Sequence, residues 1–169
     1  MQKGNTCCVT GPRTEYLPPG ATERGIKKTL EAEIRKLVTY DGVTGFYVGM
    51  EPGVCQWAAE VILQLKNIFP GIKLHCVLSC ETLADNWKEP QRDRFYAVME
   101  HCDEEWMLQG AYTPDCERRC ARYLIRHNDL LLAVWNGVEI SGAGYALHLA
   151  QAAGKEIRLI RIEASDRER

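Results

Sequence analysis

Leu130-Leu131-Leu132-Ala133-Val134-Trp135 is a continuous apolar run, with Asp129 before it and Asn136-Gly137 after it. Its length is that of a strand. A strand without polar alternation is buried on both faces, as in the middle of a parallel sheet. Parallel neighbours need long crossovers, usually helices, and both flanks supply one. Thr113–Arg126 reads as a helix, with Thr113 as its cap and Pro114 at the first helical position, and Gly142–Ala153 reads as a helix stopped by Gly154.

Outward from this run the alternation continues. Thr6–Thr10 is a strand ending at Gly11-Pro12, and Glu23–Tyr40 is a helix with Ile26, Leu30, Ile34, Leu37 and Val38 at helical spacing. Gly45–Val48 is the next strand. Glu51-Pro52-Gly53 opens a helix whose apolar face is Val54, Trp57, Ala58, Val61, Ile62 and Leu65. Ile72–Leu78, Glu105–Leu108 and Glu156–Ile162 are further strands, with a helix at Glu89–His101. The pattern predicts an α/β fold, a Rossmann-like three-layer sandwich with a mostly parallel central sheet. One domain is expected over residues 1–163, followed by a charged tail over 164–169.

Bulk composition narrows the function classes. The 169 residues suffice for one full core, and 46% apolar with 26% charged residues is ordinary for a folded cytoplasmic protein. A net charge of −2 lacks the basic excess of a protein that holds nucleic acid through its phosphates. No apolar run is long enough for a membrane span, and the N-terminus has no signal-peptide core. Eight cysteines contain no C-x-x-C pair, which speaks against a zinc ribbon or a dithiol redox site, so no metal is expected.

Parallel sheets of this kind bind ligands beyond the carboxyl ends of their strands, where the strand order reverses. Three turns there carry glycine: Thr10-Gly11-Pro12-Arg13, Gly49-Met50-Glu51-Pro52-Gly53 and Ser141-Gly142-Ala143-Gly144. Glycine lets backbone approach a ligand closely, and a helix N-terminus behind it favours phosphate. Arg13 adds a planar fork suited to a phosphate. No turn matches the dinucleotide fingerprint or the Walker pattern.

Among single residues, Cys55 stands where a helix start would lower its thiol pKa, yet no paired base is visible. Arg118, Arg122 and Arg126 share a helix face by their spacing, either toward an anionic partner or as a solvated face paired with Asp115 or Glu117. Trp87 is the best of four tryptophans for stacking on a base, the others reading as core. Glu60 reads as a surface acid, and His148 as a helix-surface residue.

The order Cys7-Cys8-Val9-Thr10-Gly11-Pro12-Arg13, then Gly49-Met50-Glu51-Pro52-Gly53-Val54-Cys55-Gln56-Trp57-Ala58-Ala59-Glu60, resembles the YpsA-like branch of the SLOG superfamily, named for Smf/DprA and LOG proteins. Tyr112-Thr113-Pro114, Arg118-Arg119 with Arg122-Tyr123, and Asp129 through Gly137 extend the similarity to nearly the whole chain. The resemblance implies a Rossmann-like fold with a pocket for a nucleotide, ADP-ribose or NAD-like ligand. On the family's pattern Gly11, Arg13, Gly49, Gly53, Gly142 and the helix after Gly142 line the pocket. With the glycine turns and the single-residue readings, the expected contacts are Thr10, Gly11, Arg13, Gly49, Glu51, Gly53, Trp87, Asn136, Gly142, Ala143 and Gly144. The branch usually has His at Pro12, Asp at Cys55, Asp at Asn136 and Gly-Gly-Thr at Ser141-Gly142-Ala143. The superfamily's phosphoribohydrolase pattern, aligned on Gly144, would put threonine at Tyr145 and the catalytic glutamate at His148. A binding or sensor module is therefore favoured over a nucleotide hydrolase, for which Glu51, Glu60 or Glu81 would have to supply the acid. Binding of single-stranded nucleic acid is less favoured still. A homodimer is an open expectation, with Trp106 and the Leu108–Tyr112 region as its candidate surface.

Overall fold

The computed structural model describes residues 5–138 and 141–162, so the charged tail expected at 164–169 lies outside them. In chain order the elements are β1 (Asn5–Thr10), a 3₁₀ turn (Thr14–Tyr16), α1 (Glu23–Tyr40), β2 (Val43–Gly49), α2 (Val54–Leu65), β3 (Lys73–Leu78), α3 (Glu89–His101), β4 (Glu104–Met107), α4 (Cys116–Arg126), β5 (Leu130–Trp135), α5 (Gly142–Ala152) and β6 (Glu156–Arg161). The strands form one sheet in the order β4-β3-β2-β1-β5-β6, with every neighbouring pair parallel. This is the expected Rossmann-like three-layer sandwich.

Burial explains why the Leu130–Trp135 run has no polar residue. Leu130, Leu132 and Val134 pack into the cluster built by α1, α2 and α3, while Leu131 and Ala133 pack into the cluster under α4 and α5. The run is therefore apolar on both faces because both are covered. α1 buries only the stripe Ile26, Leu30, Ile34 and Leu37, and Thr22 caps it by accepting the Gly25 amide at 3.1 Å. α2 lies between α1 and α3 and is buried nearly all round, which accounts for its run of small and apolar residues.

Strands β1 to β4 are laid down outward from β1 in sequence order, and the chain then returns to place β5 on the other side of β1. The topological switch point thus lies between β1 and β5.

Two helix starts differ from expectation. α4 begins at Cys116 rather than Thr113. The Thr113 hydroxyl accepts from Gln109 Nε2 at 2.9 Å and donates to Asp115 Oδ1 at 2.7 Å, so it is committed to the preceding loop and caps nothing. α2 begins at Val54, with Gly53 as its cap, so Pro52 precedes the helix instead of occupying its first turn.

Candidate functional site

A cavity of about 760 Å³ opens at the carboxyl ends of the strands, at the switch point. That volume lies within the range of small-molecule sites. Its walls come from the turns after β1, β2 and β5, from α4, and from the start of α5. Of the expected contacts, Thr10, Gly11, Arg13, Gly49, Glu51, Asn136 and Gly142 line it.

The glycines have distinct physical reasons. A Cβ on Gly11 would sit 2.4 Å from Val54 Cγ1 and 3.1 Å from Val134 Cβ, so this residue lets β1, α2 and β5 close together. Gly53 has φ +112, and a Cβ there would fall 2.7 Å from the Thr14 nitrogen and 2.8 Å from the Pro12 oxygen. It is required where the two turns cross, bridged to Arg13, and the Val54 amide donates to Pro12 O at 3.2 Å. Gly53 therefore supports the Arg13 turn from behind and is not itself a lining residue.

Arg13 lines the cavity with its guanidinium ion-paired to Glu117 of α4. Arg118 also lines the cavity, its guanidinium carbon 5.5 Å from the centroid of the Tyr145 ring, and Arg122 Nη1 donates to the Tyr145 hydroxyl at 3.2 Å. Two of the arginines at helical spacing thus reach α5, and one borders the cavity. Arg119 turns aside to Gln109 Oε1 at 3.0 Å and to Asp115.

Glu51 is the one of the three candidate acids that the fold brings into the cavity. Its carboxyl folds back over Gly49, with Oε2 2.8 Å from where a Cβ on that glycine would be. Burial raises its pKa above the ordinary carboxylate range; Glu117 adds to the rise, while its own amide and Arg13 oppose it. Glu60 instead belongs to an ion-pair network across α1, α2 and α3, 2.5 Å from Arg94 and 3.1 Å from Lys27, with Arg94 also 2.6 Å from Glu23. Glu81 is exposed and outside the cavity.

Several expectations are corrected. Trp87 lies away from the cavity, packed edge-on against Phe95 at 5.5 Å beside the α1–α3 cluster. Trp106 is not core: it stands 40% exposed on the edge strand β4. Ala143 and Gly144 are buried behind the cavity wall, and the Gly144 amide donates to the Ser141 hydroxyl at 3.0 Å, capping α5. The Cys55 thiol is buried at the cavity floor, and desolvation, reinforced by the Glu51 carboxyl, pushes its pKa up. Loss of solvation outweighs the pull of the helix terminus, opposite to the lowered value expected at a helix start. Cys116 and Cys120, four apart on α4, are both buried, and among the described residues no group of three or more His, Cys, Asp or Glu side chains is placed to hold a metal ion.

Asn136 has a structural task. Its Nδ2 donates to the Tyr16 carbonyl at 3.0 Å and its Oδ1 accepts from the Val138 amide at 3.0 Å, tying the 3₁₀ turn to the end of β5. An aspartate could make only the second bond. His148 is exposed on α5 and outside the cavity.

Glu117 and Tyr145 were not expected among the lining residues. Glu117 was visible only as a local partner for arginines on its own helix, and its pairing with Arg13 spans 104 positions. Tyr145 lies in the first turn of α5, four residues past the cap Ser141, and that placement was the available signal.

The family model for YpsA, described as the YspA SLOG family, matches residues 20–165. The UPF0398 protein of Halalkalibacterium halodurans is 29% identical over 141 residues, covering 80% of this chain and 74% of the relative. A UPF0398 protein of Bacillus cereus is 28% identical over 134 residues, covering 77% and 71%. Among solved structures, a muconate lactonizing enzyme from Mucobacterium Smegmatis aligns with a TM-score of 0.35 and 15% identity, over 92% of this chain and 45% of that one. Likeness at that level carries no argument about function. Among the described residues, no helix is long and apolar enough to cross a membrane.

Proposed function

The chain belongs to the YspA SLOG family, and with that premise we propose that its cavity binds a small nucleotide-type ligand, making the protein a sensor or regulatory module. The observation that carries this reading is the cavity at the β1/β5 switch point, bordered by Arg13, Arg118 and the start of α5. A guanidinium pairs with phosphate oxygens through its planar fork, and a helix N-terminus adds partial positive charge. The apolar floor, with Cys8, Leu124 and Leu131, suits the ring faces of a base or sugar.

One observation favours a hydrolase as the second reading. Glu51 is an acid in the cavity with a raised pKa, as a proton donor to a leaving group requires. His148 stays outside the cavity, so the acid would have to come from the β2 turn instead of α5.

A thermal-shift panel of nucleoside mono- and diphosphates, ADP-ribose and NAD tests the binding reading. Ligands of the native state raise the melting temperature by mass action. At least one should do so for the wild type and lose the effect in Arg13→Ala. No shift with any of them would sink it. Release of free base or phosphate in the same incubations would favour the hydrolase.

A further inference from the structure

β4 ends the sheet, so among the described residues one side of its backbone has no neighbouring strand. The helices pack mainly over the other five strands, and all four residues of β4 are exposed. Trp106 and Met107 present apolar surface on its two faces. A bare edge of this kind invites another strand, and proteins blunt it with short length or charge. β4 is short and carries Glu104 and Glu105. Those acids deter pairing in most registers, but not in all.

The backbone decides which residues can pair. The Leu108 amide donates to the Leu78 carbonyl at 3.0 Å, and alternate residues of a strand point to opposite neighbours. With Leu78 beside Met107 and Cys76 beside Glu105, the backbone groups of Glu104 and Trp106 turn to β3. Those of Glu105 and Met107 turn to the free edge. The side chains leave that edge clear. His75 Nδ1 accepts from Trp106 Nε1 at 3.3 Å and lies 3.2 Å from Glu104 Oε2, so both side chains lean back over β3. His75 is itself held by stacking on Tyr47 at 4.2 Å.

A strand of a second copy, related by a two-fold axis, must place one residue opposite itself. Centring on Glu104 or Glu105 sets acid against acid, which is unfavourable across a ladder. Centring on Met107 sets Glu105 opposite Gln109, whose carbonyl already accepts the Glu81 amide at 3.1 Å. Centring on Trp106 meets neither obstacle. Glu105 then faces Met107 of the second copy, both with free backbone groups, and the two exchange both ladder hydrogen bonds, twice by symmetry.

We infer that β4 pairs antiparallel with the β4 of a second copy of this chain, centred on Trp106, so that two six-stranded sheets join into one. The occupant of the edge is a second copy because the strand is complementary to itself in charge and in backbone groups in this one register. The cavity at the β1/β5 switch point lies in the other half of the sheet and stays open in the pair.

Sedimentation velocity on the full chain over a dilution series tests it. The wild type should approach twice the chain mass by about 100 µM. Met107→Glu sets acid opposite Glu105 and should weaken association about five-fold, whereas Met107→Lys sets a base there and should tighten it by about as much. Met107 is exposed, so both changes spare the core. Glu105→Pro removes an outward amide and no bond to β3, and should leave a monomer with an unchanged unfolding transition. A wild type that stays monomeric at about 100 µM overturns the inference, whether the edge is idle or kept for another protein's strand. So does a dimer whose strength the two Met107 variants leave unchanged or move in the same direction. If Glu105→Pro fails to fold, the opposite signs required at Met107 decide the matter alone.

Discussion

Arg13, in the turn after β1, is ion-paired with Glu117 in the first turn of α4. The pair joins the sheet edge to a helix on one face, and both residues line the cavity. Their side chains are 34% and 54% exposed, so solvent screens the pair and its net contribution to stability is small. A contact of that kind is readily exchanged when a stronger anion arrives.

Glu117 should therefore compete with the ligand for Arg13. Releasing an exposed pair is worth a fraction of a kcal/mol, so Glu117→Gln should tighten binding of AMP or ADP-ribose about two- to five-fold. Arg13→Ala should weaken it by about ten-fold or more, because a charge-assisted bond is lost. Titration calorimetry on both variants checks this. Opposite signs are required; equal effects would mean that the pair has no part in binding.

Glu51 should make stability pH-dependent. Its carboxyl is raised in the fold by burial, so the folded state holds its proton where the unfolded chain has released it. Stability from this group falls as pH rises from the ordinary glutamate value of about 4 through the raised one. Arg13 from the β1 turn, Glu117 and Cys120 from α4, and Cys55 from α2 all act in the same pocket. Glu51→Gln removes the ionisation, so the variant should melt above the wild type at pH 8. The gain should vanish near pH 4. A constant difference across that range would contradict the assignment.

Gly53→Ala should be severely destabilising. The new Cβ meets backbone atoms of Pro12, Arg13 and Thr14 under 3.0 Å away, at a φ of +112. Strain and overlap together cost about 3 kcal/mol. Gly11→Ala meets the Val54 side chain, and repacking there costs about 1–3 kcal/mol. Urea unfolding of both variants measures the difference, and a loss under about 1 kcal/mol at Gly53 would show that the turn can re-route.

The thiols should react unevenly. Cys102 is half-buried, and the other seven cysteines are buried. Burial, reinforced by Glu105 and Asp103, raises the Cys102 thiol as well, so its advantage is access. One equivalent of an aromatic disulfide reagent should be consumed ahead of the rest by the native protein, and Cys102→Ser should abolish that phase. Cys8 and Cys55 line the cavity but are desolvated, Cys8 to a pKa of about 12. Rapid native labelling of Cys55 would overturn this picture.

The sequence by itself determined the layers and the location of the cavity. Apolar runs such as Leu130–Trp135 and the stripe Ile26–Leu30–Ile34–Leu37 carry their burial in their period, because each strand or helix faces the core in a fixed rhythm. The bounds of α1, α3 and β5 follow directly from it. The glycine turns at Gly11, Gly49 and Gly142 were legible as a local pattern of strand end and turn. The reason for Gly11 was not, since it lies in the close contact with Val54 and not in a positive φ. Pairings that cross the chain were not. That Arg13 meets Glu117, and that Glu60 is taken by Arg94 while Glu51 stays in the cavity, depend on which helix packs on which face. Periodicity fixes the face a side chain points to. Only the packed layers bring residues some hundred positions apart to one rim and decide which charge is left for a ligand.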